Sequence, residues 1–146
     1  MDYVMSDRKR LPVSQILDLY RAADWAQNRT QADIEEILQQ SSLVMTLWEG
    51  DRMIAFARVL TDTRFRAAIY DVIVHPNWRG TGAGRQLIDG LLNHPMLLHV
   101  PVLHLLTRDK RPFYEKIGFV PATQYGLEAM VLIRAGEEVY TRQHSS

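Results

Sequence analysis

The chain has 146 residues, 47% of them hydrophobic, and its 17 basic and 17 acidic side chains cancel. This composition excludes a disordered chain and argues against general binding to nucleic acid or to a membrane surface. The absence of cysteine excludes disulfide bonds, thiolate metal ligands and a cysteine nucleophile. We therefore expect a single cytoplasmic domain over residues 1–146, with a flexible polar tail at about residues 135–146.

The first half of the chain is predicted to begin with two helices. Apolar side chains recur at helical spacing over residues 12–25, and Pro12 lies near the start of this helix. A second helix is expected over residues 30–40, where Thr30 is a favourable N-cap and Asp33 lies in the first turn. Each helix has one apolar face, so each should pack against a sheet.

Strands follow, and two further helices interrupt them. The strand over residues 66–74 is nearly all apolar, which indicates a central strand covered on both faces. Helices are expected over residues 82–92 and 112–117, the second ending at Gly118. This order predicts a mixed α/β sheet with helices on both faces. The predicted strands are residues 43–48, a return strand 53–60 after a hairpin turn at 49–52, then 66–74, 101–106, 119–122 and 127–133.

A glycine-rich turn between the central strand and the next helix carries the clearest functional signal. Gly80, Gly82 and Gly84 allow positive φ and leave backbone N–H groups uncovered, and a helix N-terminus adds partial positive charge. No acid occurs between Gly80 and Gln86, and Arg85 adds a cation where helices usually favour acids. These features predict a phosphate-bearing ligand. The alternative is a glycine-rich turn that binds nothing.

Two common phosphate-binding loops fit this turn poorly. The ATP-type loop ends in glycine-lysine-serine/threonine, which is absent here. The dinucleotide fingerprint needs a glycine where Arg85 stands, and here the turn follows a hairpin in mid-chain. The ligand is therefore expected to belong to another class.

The turn resembles the acetyl-CoA signature of the GNAT acetyltransferases, arginine/glutamine-x-x-glycine-x-glycine/alanine. Arg79, Gly82 and Gly84 occupy its fixed positions, and the likeness extends over nearly the whole chain. It implies the GNAT fold, an α/β (α+β) fold with a mixed, mostly antiparallel central sheet, and acetyl-CoA as co-substrate without a metal. Residues 20–25 and 56–58 also resemble small GNAT proteins related to plant serotonin N-acetyltransferases.

The resemblance also implies which residues bind acetyl-CoA. The strand edge at Ile73 and Val74 would pair with the pantetheine arm like an added strand, and a backbone N–H there would polarise the thioester oxygen. The residues implied for the pyrophosphate are Arg79, Gly80, Thr81, Gly82, Ala83, Gly84 and Arg85.

A second motif, over residues 111–119, resembles the family pattern phenylalanine-tyrosine-x-lysine-x-glycine-phenylalanine. Tyr114 aligns with the tyrosine that protonates the departing thiolate. With reference pKa values near 10 for tyrosine and near 8.5 for a thiol, this transfer is uphill by roughly 1.5 units, or about 2 kcal/mol. That cost is small beside a catalytic barrier. The alternative is that Tyr114 only packs.

The acceptor amine must lose a proton before it attacks, because a lysine-like amine is almost fully protonated at neutral pH. Asp71 is the first candidate base, since it is a lone acid in an apolar strand, and strand alternation places it on the same face as Ile73. A salt bridge to Arg58 or Arg66, or a hydrogen bond at the strand end, is the alternative role. Weaker candidates are Asp24 and Glu128.

Other groups carry weaker signals. Three histidines are spaced five residues apart, His94, His99 and His104. This spacing does not share a helix face, and prolines interrupt the stretch, so no metal site is expected. A cationic cluster of Arg108, Lys110 and Arg111 either meets the 3′-phosphate of CoA or forms a solvated loop. Trp25 is either a core aromatic or part of an acceptor pocket.

Together these observations predict an acetyl-CoA-dependent N-acetyltransferase. Its acceptor is expected to be the primary amine of a small molecule, attacked directly in a ternary complex because no cysteine can carry the acetyl group. A protein or peptide N-acetyltransferase and a non-catalytic acyl-CoA-binding module are the alternatives. No nucleic-acid or membrane partner is expected, and a homodimer is plausible.

Overall fold

The structure is a computed structural model, and it describes residues 3–134. Five strands form one sheet in the order β1-β2-β3-β4-β5, with all pairs antiparallel except β4 and β5. The predicted α/β (α+β) fold is confirmed; the tail predicted at residues 135–146 lies outside the described residues. The elements are β1 (Val4–Ser6), α1 (Val13–Arg21), α2 (Gln31–Gln40), β2 (Leu43–Glu49), β3 (Arg52–Thr61), β4 (Arg66–Val74), α3 (Ala83–Leu92), β5 (Val102–His104) and α4 (Arg111–Ile117), with short 3₁₀ helices at Pro76–Trp78 and Ala122–Tyr125.

Two hydrophobic layers enclose the sheet. Helices α1 and α2 cover one face, where Ile16 and Tyr20 pack against Phe56 of β3. Helices α3 and α4 cover the other face, where Leu87 and Ile88 are fully buried. Strand β4 contributes to both layers, as its nearly continuous apolar sequence predicts.

The predicted helices and the first three predicted strands are confirmed, with ends that differ by a few residues. Strand β4 coincides with the predicted range, and the hairpin turn between β2 and β3 lies at Gly50 and Asp51. Strand β1 was not expected. It pairs antiparallel with β2, Val4 opposite Trp48, but three residues are too few to show a strand period.

The two predicted closing strands, at residues 119–122 and 127–133, are wrong. Gly118 ends α4 in the left-handed conformation with φ of 115°, and Phe119 N then donates to Tyr114 O at 3.1 Å. The chain next enters the 3₁₀ helix Ala122–Tyr125. Apolar residues at these positions favour strands, but a strand also needs a neighbouring backbone, and within the described range residues 127–133 have none.

The N-cap of α2 provides a test of local stability. Thr30 Oγ1 accepts from Asp33 N at 3.1 Å, and Asp33 Oδ2 accepts from Thr30 N at 2.8 Å. Because Thr30→Ala removes the cap of one helix N–H, we expect it to lower the free energy of unfolding by about 1 kcal/mol in urea denaturation. Gln39→Ala, at an exposed position of the same helix, is the control and should change it little. Equal losses in both variants would contradict a capping role.

Candidate active site

The glycine turn leads from the end of β4 into α3. Gly80 and Gly82 have φ of 77° and 88°, and Gly82 is the N-cap of α3. A Cβ atom at either position would meet nothing within 4 Å, so open space faces the turn. The first helical hydrogen bond is donated by Gln86 N to Gly82 O, at 3.0 Å. The N–H groups of residues 83–85 therefore need an acceptor from outside the helix.

The third glycine has a different role. Gly84 lies inside α3, and a Cβ atom there would approach Phe113 Cζ to 3.3 Å and Val74 Cγ2 to 3.5 Å. Its missing side chain allows the start of α3 to pack closely against α4 and the end of β4. The expectation that all three glycines serve positive φ thus holds for Gly80 and Gly82 and not for Gly84.

Side chains in and next to the glycine turn make hydrogen bonds and an ion pair with neighbouring residues. Thr81 Oγ1 donates to Trp78 O at 2.6 Å, and Trp78 Nε1 donates to Glu49 Oε2 of β2 at 3.1 Å. Arg85 Nε lies 3.2 Å from both carboxylate oxygens of Asp89, one helical turn later. Because Asp89 compensates the charge of Arg85, the case for an anion at this turn depends on the backbone N–H groups.

The sheet opens beside β4. Strand β5 pairs with β4 only at Arg66–Ala68, so from residue 69 onward the outer edge of β4 has no neighbouring strand within residues 3–134. His75 N donates to Ile54 O on β3 at 2.7 Å. Because amide directions alternate along a strand, Ile73 N–H also points toward β3 and Val74 N–H points toward the open edge. The open edge thus offers a backbone donor at Val74, directly before the glycine turn.

A β-bulge interrupts β4 next to this edge. Phe56 pairs with Ile73 and Arg58 with Tyr70, so two residues of β4, Asp71 and Val72, oppose one residue of β3. Asp71 has φ of 55°, which is unusual for a residue with a side chain. The bulge kinks the strand at the predicted base.

The Asp71 carboxylate lies in a buried cluster on the α1/α2 face, the same face as Ile73, as strand alternation predicts. Asp71 Oδ2 accepts from Tyr20 Oη at 2.7 Å and from Arg58 Nε at 2.6 Å, and lies 3.4 Å from Arg29 Nη1. Its side chain is 8% exposed. Burial, and then the charge of Asp71, raise the pKa of the Tyr20 hydroxyl, which therefore stays protonated and donates its hydrogen bond.

The salt bridge with Arg58 that the sequence left as an alternative role of Asp71 is thus present. Arg66, the other predicted partner, donates instead to Phe65 O at 3.0 Å. Sequence reasoning missed Tyr20 and Arg29 as members of this cluster. Tyr20 was indistinguishable from the apolar residues of α1, and no pattern marks Arg29.

Tyr114 lies on the opposite face of the sheet, where α4 packs. Its ring makes edge contacts with Phe113 and Phe119, with centroid distances of 5.0 and 5.8 Å, and the residue is 8% exposed. Burial raises the pKa of the Tyr114 hydroxyl to about 12. No side chain among the described residues hydrogen-bonds this hydroxyl. The structure therefore does not bring Tyr114 and Asp71 together, because they lie on opposite faces of the sheet.

The weaker predicted candidates are distributed over the surface. Asp24 and Glu128 are exposed, and Arg111 pairs with Glu115 at 3.4 Å. His94 lies 2.9 Å from Asp7, and residues 3–134 contain no cluster of three or more potential metal ligands. Trp25 makes an edge contact with Tyr20 at 6.2 Å, on the α1/α2 face. No helix in this range has the length and apolar character needed to cross a bilayer.

Comparison with known proteins agrees with the fold and the motifs. The family model described as acetyltransferase (GNAT) domain matches residues 40–121. A Pyropia yezoensis protein named uncharacterized N-acetyltransferase ycf52 is 27% identical over 124 residues, 82% of this chain and 71% of that protein. The Arabidopsis thaliana protein named GCN5-related N-acetyltransferase 1, chloroplastic, is 30% identical over 129 residues, 85% of this chain and 64% of that protein.

Solved structures extend the match to three dimensions. A Xanthomonas campestris crystal structure assigned to the GNAT family has a TM-score of 0.77 and 29% identity, covering 90% of this chain and 94% of its own. The family uses acetyl-CoA as co-substrate. The chain belongs to the GNAT family and is an N-acetyltransferase.

Proposed function

We propose that the protein transfers the acetyl group of acetyl-CoA to the primary amine of a small molecule, by direct attack in a ternary complex. The observation that supports this most is the continuity of two features. The open edge of β4 ends at Val74, and the uncapped amides at the start of α3 begin nine residues later, at Ala83. One ligand with an amide-containing arm and a diphosphate can occupy both.

We assign the binding of the diphosphate to the backbone from Arg79 to Arg85. The open space in front of Gly80 and Gly82 and the unpaired N–H groups of residues 83–85 suit an anion of this size. Along the open edge, Val74 supplies the outward N–H, whereas the N–H of Ile73 is directed to β3. We therefore assign the polarisation of the thioester oxygen to Val74.

We assign Tyr114 as the acid that protonates the departing thiolate. Its pKa of about 12 exceeds a thiol reference of about 8.5 by roughly 3.5 units, so complete transfer costs about 5 kcal/mol against that reference. The apolar surroundings that raise the pKa of Tyr114 also destabilise a thiolate, so they raise the pKa of the thiol. The two pKa values are therefore closer together in the site than the reference value suggests. The same high pKa keeps Tyr114 protonated, as a donor must be, throughout the neutral range.

We assign Asp71 as the group that accepts the proton of the acceptor amine. It is a buried carboxylate at the bulge of β4 that accepts a hydrogen bond from Tyr20, whose ring is contacted by Trp25. A carboxylate that is only 8% exposed suits a small amine better than a bulky acceptor. The ion pair with Arg58 gives Asp71 a structural role as well, and the two roles make different predictions.

Asp71→Asn should separate these roles by its pH dependence. We expect kcat/KM at pH 7 to fall by about 100-fold, because the amine must then lose its proton to water. The deficit should shrink as the pH rises toward the pKa of the amine, where the neutral acceptor becomes abundant without a base. Rates over a range of pH, with Asp24→Asn as the exposed control, measure this. A deficit of the same size at every pH would indicate that Asp71 acts only through its ion pair.

The acceptor class can be tested with a panel of amines, by following the release of free CoA. Arylalkylamines, polyamines, amino sugars and short peptides each represent one class. We expect the highest kcat/KM with a small amine. Preference for peptides would replace the small-molecule assignment with a peptide N-acetyltransferase, and CoA binding without turnover on any amine would indicate a non-catalytic module.

A further inference from the structure

The Asp71 carboxylate is held through only one of its two oxygens. Tyr20 Oη donates to Oδ2 at 2.7 Å and Arg58 Nε donates to it at 2.6 Å, and Arg29 Nη1 lies 3.4 Å from the same atom. These donors come from three separate segments, namely α1, the connection between α1 and α2, and β3. They fix the plane of the carboxylate, because rotation about its Cβ–Cγ bond would misalign all of them.

The other oxygen, Oδ1, accepts no hydrogen bond from residues 3–134. In the same range, the Tyr3 hydroxyl is the one buried side-chain polar atom without a partner. Oδ1 is therefore not sealed from solvent, although the Asp71 side chain as a whole is 8% exposed. A carboxylate oxygen that can be reached and has unused lone pairs is suited to take a proton from an amine.

The hydroxyl of Tyr20 is fixed in place by the packing of its ring. Phe56 and Trp25 make edge contacts with this ring, at centroid distances of 5.8 and 6.2 Å. Arg29 Cζ lies over the ring, 5.0 Å from its centroid, and Tyr20 is 1% exposed. Because the ring is confined on several sides, the hydroxyl cannot move away from Asp71. A locked donor of this kind can set the orientation of the group that it contacts.

We propose that Tyr20 is a positioning residue for acetyl transfer, whose hydroxyl holds Oδ2 of Asp71 so that Oδ1 accepts the proton of the acceptor amine. In this step an N–H bond of the ammonium breaks, its electron pair stays on nitrogen, and the proton bonds to Oδ1. The products are a neutral amine and a protonated Asp71. A neutral donor orients the carboxylate and lowers its basicity less than another cation would. The inference rests on the proposed function, because it takes Asp71 as the base.

Tyr20→Phe tests this role, because it removes the hydroxyl and keeps the ring. For the panel amine with the highest kcat/KM, we expect kcat/KM to fall about tenfold at pH 7, since a base that is no longer held in one orientation loses part of its effective geometry. The affinity for CoA in calorimetric titration should not change, because the lost hydroxyl donates to Asp71. Wild-type kcat/KM in Tyr20→Phe, or a loss confined to CoA affinity, would overturn the inference.

A double-mutant cycle separates positioning from a structural role. In the Asp71→Asn background, Tyr20→Phe should cause no further loss of kcat/KM, because the group that the hydroxyl positions no longer takes a proton. Two losses that multiply in the double variant would show that the hydroxyl acts apart from Asp71, and would refute the inference.

Ile16→Val is the control for loosening of α1, since Ile16 is fully buried on the same helix and packs in the same layer. It should lower the midpoint of thermal unfolding and leave kcat/KM unchanged. A loss of kcat/KM as large as that of Tyr20→Phe would contradict the positioning role.

The same measurements distinguish this inference from the proposed function. Loss of activity in Asp71→Asn with full activity in Tyr20→Phe would refute the role of Tyr20 and leave Asp71 as the base. Wild-type activity of Asp71→Asn, or no turnover of any panel amine, would contradict the proposed function and this inference with it.

Discussion

Tyr114→Phe should lower kcat by about 100-fold or more and leave the affinity for CoA nearly unchanged. The substitution removes only the hydroxyl and keeps the ring that packs between Phe113 and Phe119. The departing thiolate then has no placed proton donor, and positioned acids commonly contribute factors of this size. Steady-state kinetics with acetyl-CoA, together with calorimetric titration of CoA, separate the catalytic loss from any loss of binding.

The control for this variant is Tyr125→Phe. Tyr125 is 76% exposed and lies in the turn after α4, so losing its hydroxyl should not change kcat. The pKa of about 12 adds a second expectation, that Tyr114 causes no loss of wild-type activity below about pH 11. Full activity of Tyr114→Phe would exclude the residue as the acid and leave it a packing role.

Gly82→Ala should weaken CoA binding by at least about tenfold. An alanine at φ of 88° is strained by about 1–2 kcal/mol, so the turn either keeps its shape at that cost or relaxes and moves the amides that we assign to the diphosphate. If the turn keeps its shape, the new Cβ atom occupies the open space in front of it. Calorimetric titration with CoA measures the affinity, and thermal unfolding measures the strain.

Gly50→Ala is a matched control, because Gly50 also has positive φ, at 58°, and a Cβ atom there also meets nothing within 4 Å. It lies in the β2–β3 turn, outside the glycine turn. The two variants should lose similar stability, while only Gly82→Ala loses CoA affinity. Equal losses of CoA affinity in the two variants would mean that backbone strain alone explains the loss in Gly82→Ala. Unchanged CoA affinity in the two variants would exclude the glycine turn from the CoA site.

Local sequence patterns were sufficient for most of the elements. The apolar spacing of α1, the cap at Thr30 and the continuous apolar run of β4 each express a preference that operates within one segment. The glycine turn is local in the same sense, because positive φ and the uncapped helix start depend on neighbours in the chain. For this reason the family motif and the N-acetyltransferase class could be predicted before any fold was known.

Contacts between distant segments required the tertiary structure. Tyr20 and Asp71 are 51 residues apart, and nothing in α1 distinguishes a tyrosine that packs from one that also donates to a carboxylate. The separation of β5 from β4 after Ala68 leaves the outer edge of β4 open, and it depends on how the two strands are positioned and not on the composition of either.

The predicted closing strands show most clearly what the sequence alone could not determine. The sequence by itself determined the type of each local element and the glycine turn, because propensity, periodicity and capping act over a few residues. Residues 127–133 have strand-like apolar character, yet only the tertiary structure decided that no strand within residues 3–134 pairs with them. Strand pairing is a long-range property, since its hydrogen bonds are supplied by a backbone that is distant in the chain or belongs to another molecule.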